Sequence, residues 1–155
     1  MSVCKKQALI EAPIEEIWDL IGNPARHPEW WPRVVEVQGE RFEEGDQYAQ
    51  VTHGPTGKEQ TSFLVEERDE MREIKLRCQD TGMFAHWLLT GARDGTFVDV
   101  EFGMEPRTIT VRLFDTFAGR IYFRRWLDES VKGLEQAAGR AGSEAGTTGT
   151  APPAA

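Results

Sequence analysis

The sequence has few cysteines, a deficit of basic residues and no long apolar run, and each shortage closes off a class of function. Two cysteines in 155 residues are too few for a disulfide framework. Cys4 and Cys78 stand in neither a CxxC nor a Cys/His spacing and read as small buried hydrophobes. Lysine and arginine number 18 against 26 acidic residues, a net charge of −8. That argues against a nucleic-acid partner, because a phosphate backbone demands a basic face. No apolar run approaches the ~20 residues of a membrane-spanning helix. Met1 to Gln7 lacks the apolar core of a signal peptide, so the expected location is cytoplasmic. The three histidines, His27, His53 and His86, fall in different predicted elements without HxH or HxxxH spacing, so no metal is expected. There is no Gly-rich phosphate loop and no GxSxG, and no cofactor is expected.

What the chain does have is aromatic bulk and a regular order of elements. Five Trp and eight Phe suit a deep core or a large apolar pocket. The length fits one domain over 1–141, and the Gly, Ser, Thr, Ala and Pro of 142–155 read as a disordered tail. Val3 to Glu11 reads as a strand. Ala12-Pro13 opens a short helix with Ile14, Ile17, Trp18 and Ile21 inward, and Gly22-Asn23-Pro24 stops it. Pro24 to Trp31 is a second short helical piece, with His27 expected to be solvated. Six stretches of period-2 alternation follow, separated by Gly, Asp and Pro turns. The clearest is Arg72 to Gln79, where Ile74, Leu76 and Cys78 alternate with charged and polar residues. Thr108 to Arg140 then reads as one long helix. Its apolar stripe runs Ile109, Leu113, Phe117, Ile121, then Leu127, Val131, Leu134 and Ala138, with one longer step.

An antiparallel sheet with one polar face must have its other face covered, and only the C-terminal helix is long enough to do so. The predicted architecture is α+β, a seven-stranded antiparallel sheet curled around a long C-terminal helix. Two short helices between the first two strands close one end.

Three local markers then point to a family: Ile10-Glu11-Ala12-Pro13, Ile17-Trp18-Asp19-Leu20-Ile21 and Pro28-Glu29-Trp30-Trp31-Pro32. With Thr81-Gly82-Met83-Phe84-Ala85 and the strand end Phe102 to Pro106, they resemble the START-like, or SRPBCC, superfamily. Its fold is the helix-grip, Bet v 1-like fold, and the markers are nearest the polyketide cyclase/dehydrase and lipid-transport branch. The resemblance covers Val3 to about Ala141. It implies an apolar cavity between sheet and helix that takes a lipid, hormone or aromatic metabolite, with chemistry in a minority of members. Aromatase/cyclase members carry an inward arginine on the middle strand. Here Glu66 or Glu67 stands at that place and Arg68 is one or two positions away, which weakens the cyclase assignment.

Alternation and helical phase propose the pocket wall: Val35, Phe63, Val65, Leu76, Trp87, Leu89, Val100 and Phe102 from the sheet, with Val37, Ile74, Met83, Ala85 and Val98 in the same phase. Leu113, Phe117 and Ile121 answer from the helix. Trp30 and Trp31 stand at the mouth, either as one gate and one packed ring or both as structural plugs. The expected cavity is ~300 Å³ or more. Tyr48, Thr52, Thr90 or Tyr122 supplies an orienting hydrogen bond. Glu66, Glu67 and His53 are the acid–base candidates. The adjacent glutamates face opposite sides of a strand, so one points inward, where burial raises its pKa, or else pairs with Arg77 or Arg68. His86 points to the outer face. The expected partner is a small hydrophobic or aromatic molecule. The alternatives are a cyclase/dehydrase working in the same cavity and an interaction module of the Hsp90-activator-like type.

Overall fold

Period-2 alternation puts one row of side chains on each face of a strand, and the seven strands form where that row is apolar. In the computed structural model, which describes residues 2–54 and 56–147, they are β1 (Ser2–Ile10), β2 (Val34–Gln38), β3 (Gln47–Gly54), β4 (Gly57–Asp69), β5 (Glu73–Cys78), β6 (Met83–Ala92) and β7 (Gly95–Met104). All pairs are antiparallel, in the order β1-β7-β6-β5-β4-β3-β2. Between β1 and β2 lie α1 (Ile14–Ile21), a 3-10 turn (Pro24–Arg26) and α2 (His27–Trp30). After β7 come α3 (Ile109–Phe114), a π-helical turn (Asp115–Gly119) and α4 (Arg120–Thr147).

The buried faces follow the expected phases through most of the sheet. Ile74, Leu76 and Cys78 of β5, Met83, Ala85, Trp87 and Leu89 of β6, and Val98, Val100, Phe102 and Met104 of β7 are all buried. They meet Leu127, Val131, Leu134 and Ala138 of α4, also buried. α1 adds Ile17, Trp18, Leu20 and Ile21, while Glu15 and Glu16 stay in its first turn, where the helix dipole favours negative charge.

Three irregularities shift the phase. A bulge between Val34 and Glu36 turns Val35 out to 38% exposure, so the expectation that it lines the interior is corrected: Val34 and Val37 occupy the inner row instead. A second bulge lies between Val65 and Glu67. It inserts Glu66 as an extra residue and breaks the alternation there.

The third irregularity is the π turn, which lies within the stripe that needs the largest correction. Ile109, Leu113, Phe117 and Ile121 are exposed by 79, 54, 81 and 76%, so they do not face the sheet. At 3.6 residues per turn, the six-residue step from Ile121 to Leu127 is about 240° of rotation. The two halves of the stripe therefore cannot share a face. The inward residues of this segment are Val111, Phe114, Asp115, Gly119, Tyr122, Phe123 and Trp126. At its other end α4 runs past the expected boundary at residue 141 to Thr147. Ala141, Glu144 and Ala145 are strong helix formers. Residues 148–155 of the expected tail lie outside the described residues.

Candidate functional site

The interior between sheet and helix is divided by aromatic rings. Trp31 stacks on Trp126, with centroids 5.3 Å apart and planes at 10°, and on Trp30 at 5.8 Å. Trp87 meets Trp30 edge-on at 5.3 Å, and Phe102 closes against Trp31, Trp87 and Trp126. Such pairs contribute ~0.5–1.5 kcal/mol each beyond the area they bury. Trp30 Nε1 donates to the Leu20 carbonyl and Trp126 Nε1 to the Pro32 carbonyl, which fixes both rings. Trp30 and Trp31 are thus packed rings, 4% and 1% exposed, and neither stands at a mouth. Val65, Leu76, Trp87, Leu89, Val100 and Phe102 are likewise core. They do not line the pocket, and over Trp87 and Phe102 the rings of Trp30, Trp31 and Trp126 already fill the space.

The open space lies on the other side of this block. A pocket of about 440 Å³ opens where the β3–β4 hairpin, the end of β5 and the start of β6 meet α3 and the first turns of α4. Its apolar wall is Phe63, Cys78, Met83, Met104, Val111, Phe114, Tyr122, Phe123 and Trp126. Gln50, Thr52, Thr56, Glu59, Thr61, Thr81 and Thr110 supply its polar groups. Of the residues proposed from the sequence as pocket wall, Phe63 and Met83 line this pocket; of the orienting candidates, Thr52 and Tyr122 do.

The polar end comes from two paired strands. Gln50 stands opposite Thr61, and Thr52 opposite Glu59, so four hydrogen-bonding side chains project from one patch of the concave face. Gln50 is 1% exposed. Its Nε2 donates to Thr52 Oγ1 at 3.1 Å, and its buried Oε1 accepts no hydrogen bond among the described residues. Tyr48, one step along the same row, stacks on Phe63 at 5.7 Å. Burial, helped by the neighbouring Cys78, pushes its phenol upward, so it stays neutral. Thr90 is exposed on the outer face and orients nothing in the interior.

The acid–base candidates lie elsewhere. The β4 bulge puts both glutamates on the outer face, which corrects the expectation that one points inward. Arg77 Nε donates to both oxygens of Glu66 at 3.0 and 3.1 Å, and Lys75 Nζ lies 3.6 Å away. Burial opposes ionisation of Glu66, but the two cations outweigh it and hold the carboxyl below its usual range. That is the opposite of a raised general acid. His53 is exposed at the end of β3, in the outward phase between Thr52 and Gly54. Arg68 does reach the concave phase, opposite Ile74. Its guanidinium is spent on the Gly22 and Phe42 carbonyls at 2.6 and 3.2 Å and lies over the Trp18 ring.

His27 is the other correction: it is buried, not solvated, at 1% exposure. Its Nε2 donates to the Ile21 carbonyl at 2.8 Å, and Trp30 and Trp31 meet its ring edge-on. Burial, partly offset by that hydrogen bond, lowers its pKa to about 4. The Trp30 and Trp31 rings and the Ile21 carbonyl enclose the imidazole, which local polarity did not show. On the outer face, Glu67, Glu73 and His86 bring one ligand atom each within 4.8 Å of one another. They sit on three consecutive strands, and their separations of six and thirteen residues match no metal-binding spacing motif. His86 is already paired with Glu73 at 2.5 Å, and Lys75 stands in register between Glu67 and His86.

Sequence reasoning missed Gln50, Thr61, Val111 and Phe114 as pocket residues. The first two carried a signal, since they share an inward row with Tyr48 and Phe63. The helix pair was hidden by the stripe spaced at four.

A sequence model of the family described as polyketide cyclase/dehydrase and lipid transport matches residues 3–139. No curated protein matches the chain. Among solved structures, a Nitrosomonas europaea protein is similar at TM-score 0.71 and 14% identity, covering 92% of this chain and 97% of that one. A Bacillus halodurans protein is similar at TM-score 0.71 and 17% identity, over 89% and 97%. A polyketide-cyclase-like protein of Corynebacterium glutamicum reaches 0.59 at 15%, over 97% of both chains. At such identities the likeness is one of fold.

Proposed function

Given that the chain belongs to the polyketide cyclase/dehydrase and lipid-transport family, we propose that its pocket binds a small amphipathic molecule, with an aromatic or acyl body and one hydrogen-bond donor. The observation that carries this is the pairing of an apolar wall with the buried, unmatched Gln50 carbonyl oxygen. The volume of about 440 Å³ falls within the range of small-molecule sites. The ligand's body displaces water from Phe63, Met83, Phe114 and Phe123, which supplies most of the affinity. Its hydroxyl or N–H donates to Gln50, and the threonines beside it set the orientation. Binding rather than cyclisation is favoured because Glu66, Glu67 and His53 lie outside the lining. Glu59, the carboxylate that does line it, is exposed and accepts from Thr56 Oγ1 at 2.7 Å.

The test is denaturing mass spectrometry of the purified protein, followed by titration with apolar phenols while Trp fluorescence is read. Trp126 lines the pocket and reports occupancy. Gln50→Leu should weaken a phenol by about tenfold and leave the corresponding methyl ether, which has no donor, unaffected. Equal loss for both probes, or no fluorescence response to any probe, overturns the reading.

A further inference from the structure

Four large apolar side chains stand in a line on the outer face of α3, the π turn and α4. Ile109, Leu113, Phe117 and Ile121 are each more than half exposed, and no other element of the described chain covers them. Single exposed hydrophobes are ordinary, but a contiguous ridge marks a contact surface.

The charge around the ridge is the reverse of the charge on the chain. The protein carries −8 overall, yet residues 107–126 hold Arg107, Arg112, Arg120, Arg124 and Arg125 against a single acid, Asp115, which is buried. Arg112 follows Ile109 by three residues and Arg120 follows Phe117 by three; Arg124 and Arg125 follow Ile121 by three and four. That spacing puts guanidinium groups beside the ridge. Arg125 pairs with Glu129 at 3.0 Å, while Arg112, Arg120 and Arg124 have no acidic partner within 4.0 Å among the described residues. Aliphatic and aromatic side chains between unpaired arginines make a surface with an apolar centre and a basic rim.

We propose that this ridge docks on an anionic lipid bilayer, lying in the headgroup layer with Phe117 and Ile121 inserted and the arginines on lipid phosphates. No described helix is long and apolar enough to cross a membrane, so the contact is one of lying on the surface. A second copy of the chain is a poor occupant, because mating two such ridges sets arginines against arginines. The proposal stands without the pocket reading. If both hold, the inner side of the same segment, Val111 and Phe114, brings the pocket to the bilayer surface.

The test is flotation of the full chain with phosphatidylcholine vesicles, with and without phosphatidylserine, at low and high salt. Binding should require phosphatidylserine and weaken with salt. Phe117→Asp combined with Ile121→Asp should lower it at least about tenfold, and Arg120→Glu with Arg124→Glu should do the same. Phe117→Ser, at an 81% exposed position, gives a milder version that keeps the fold, checked by an unchanged thermal transition. Absence of flotation with either vesicle, equal flotation with both, or variants that float like the parent each overturn the proposal. So does a dimer in sedimentation velocity that Phe117→Ser dissolves, which assigns the ridge to a second copy. Titration with soluble phenols needs no membrane, so failure here is distinguishable from failure of the pocket reading.

Discussion

Trp31 and Trp126 stack with centroids 5.3 Å apart and planes at 10°, joining the residue after α2 to the long helix across 95 positions of sequence. Trp126 has the pocket on one side and the aromatic block on the other. Trp126→Ala should therefore cost about 3–5 kcal/mol in urea unfolding and merge new space into the pocket, so that bulkier phenols bind. Trp126→Phe should lose less stability and keep the size preference.

Gly133 lies under the backbone of Trp30: a Cβ at residue 133 would stand 2.2 Å from the Trp30 carbonyl oxygen. In a free helix, Gly→Ala gains about 1 kcal/mol. Here the sign should invert, because the neighbour is backbone and cannot turn aside. Gly133→Ala is expected to destabilise by about 1–3 kcal/mol, whereas Gly139→Ala, with open space around it, should be neutral or stabilising. Thermal unfolding of the two variants side by side decides the point.

His27 sets an acid limit on stability. Its folded pKa is about 4, against 6.5 for the free side chain. Between those values the unfolded chain binds a proton that the folded chain refuses, so stability falls as pH drops through that window. Above pH 6.5 both states are neutral and the effect vanishes. The full loss below pH 4 is about 3 kcal/mol. Denaturant midpoints from pH 8 to 4 should show this slope in the parent and a flatter one in His27→Gln.

Glu66 works in the same sense, over a lower pH range and away from the pocket. Arg77 and Lys75 depress its pKa, so its contribution is present above the ordinary carboxylate range and is lost as pH falls through the depressed value. Glu66→Gln should cost about 1 kcal/mol at neutral pH. Phenol affinity should not change; a loss of binding with the fold intact would return this residue to the site.

Pocket capacity should answer to the inner side of α3. Val111→Trp is expected to exclude large phenols with little change in stability, since Val111 is half-buried at the pocket wall. Phe117→Trp, on the exposed ridge, should leave soluble-probe affinity unchanged. Affinity measured by fluorescence for both variants separates the two faces of the segment.

The order of elements along the chain, the inward rows of β5, β6 and β7, and the buried run Leu127, Val131, Leu134 were fixed by local pattern, since a period of two or of 3.6 needs nothing beyond neighbours in sequence to state which residues share a face. The family resemblance was equally local, resting on Ala12-Pro13 and on Trp30-Trp31-Pro32. Tertiary structure decided the rest. Two bulges and a π turn each shift the phase by a residue. The bulges turned Val35 and both glutamates outward, and the six-residue step from Ile121 to Leu127 sets the exposed stripe of Ile109, Leu113, Phe117 and Ile121 off the buried face of α4. The place of the pocket was decided by volume: rings from α2, β6, β7 and α4 fill one half of the interior, and the small polar side chains of β3 and β4 leave the other half open. No single stretch of chain carries that sum, because each ring finds its partners among residues far away in sequence.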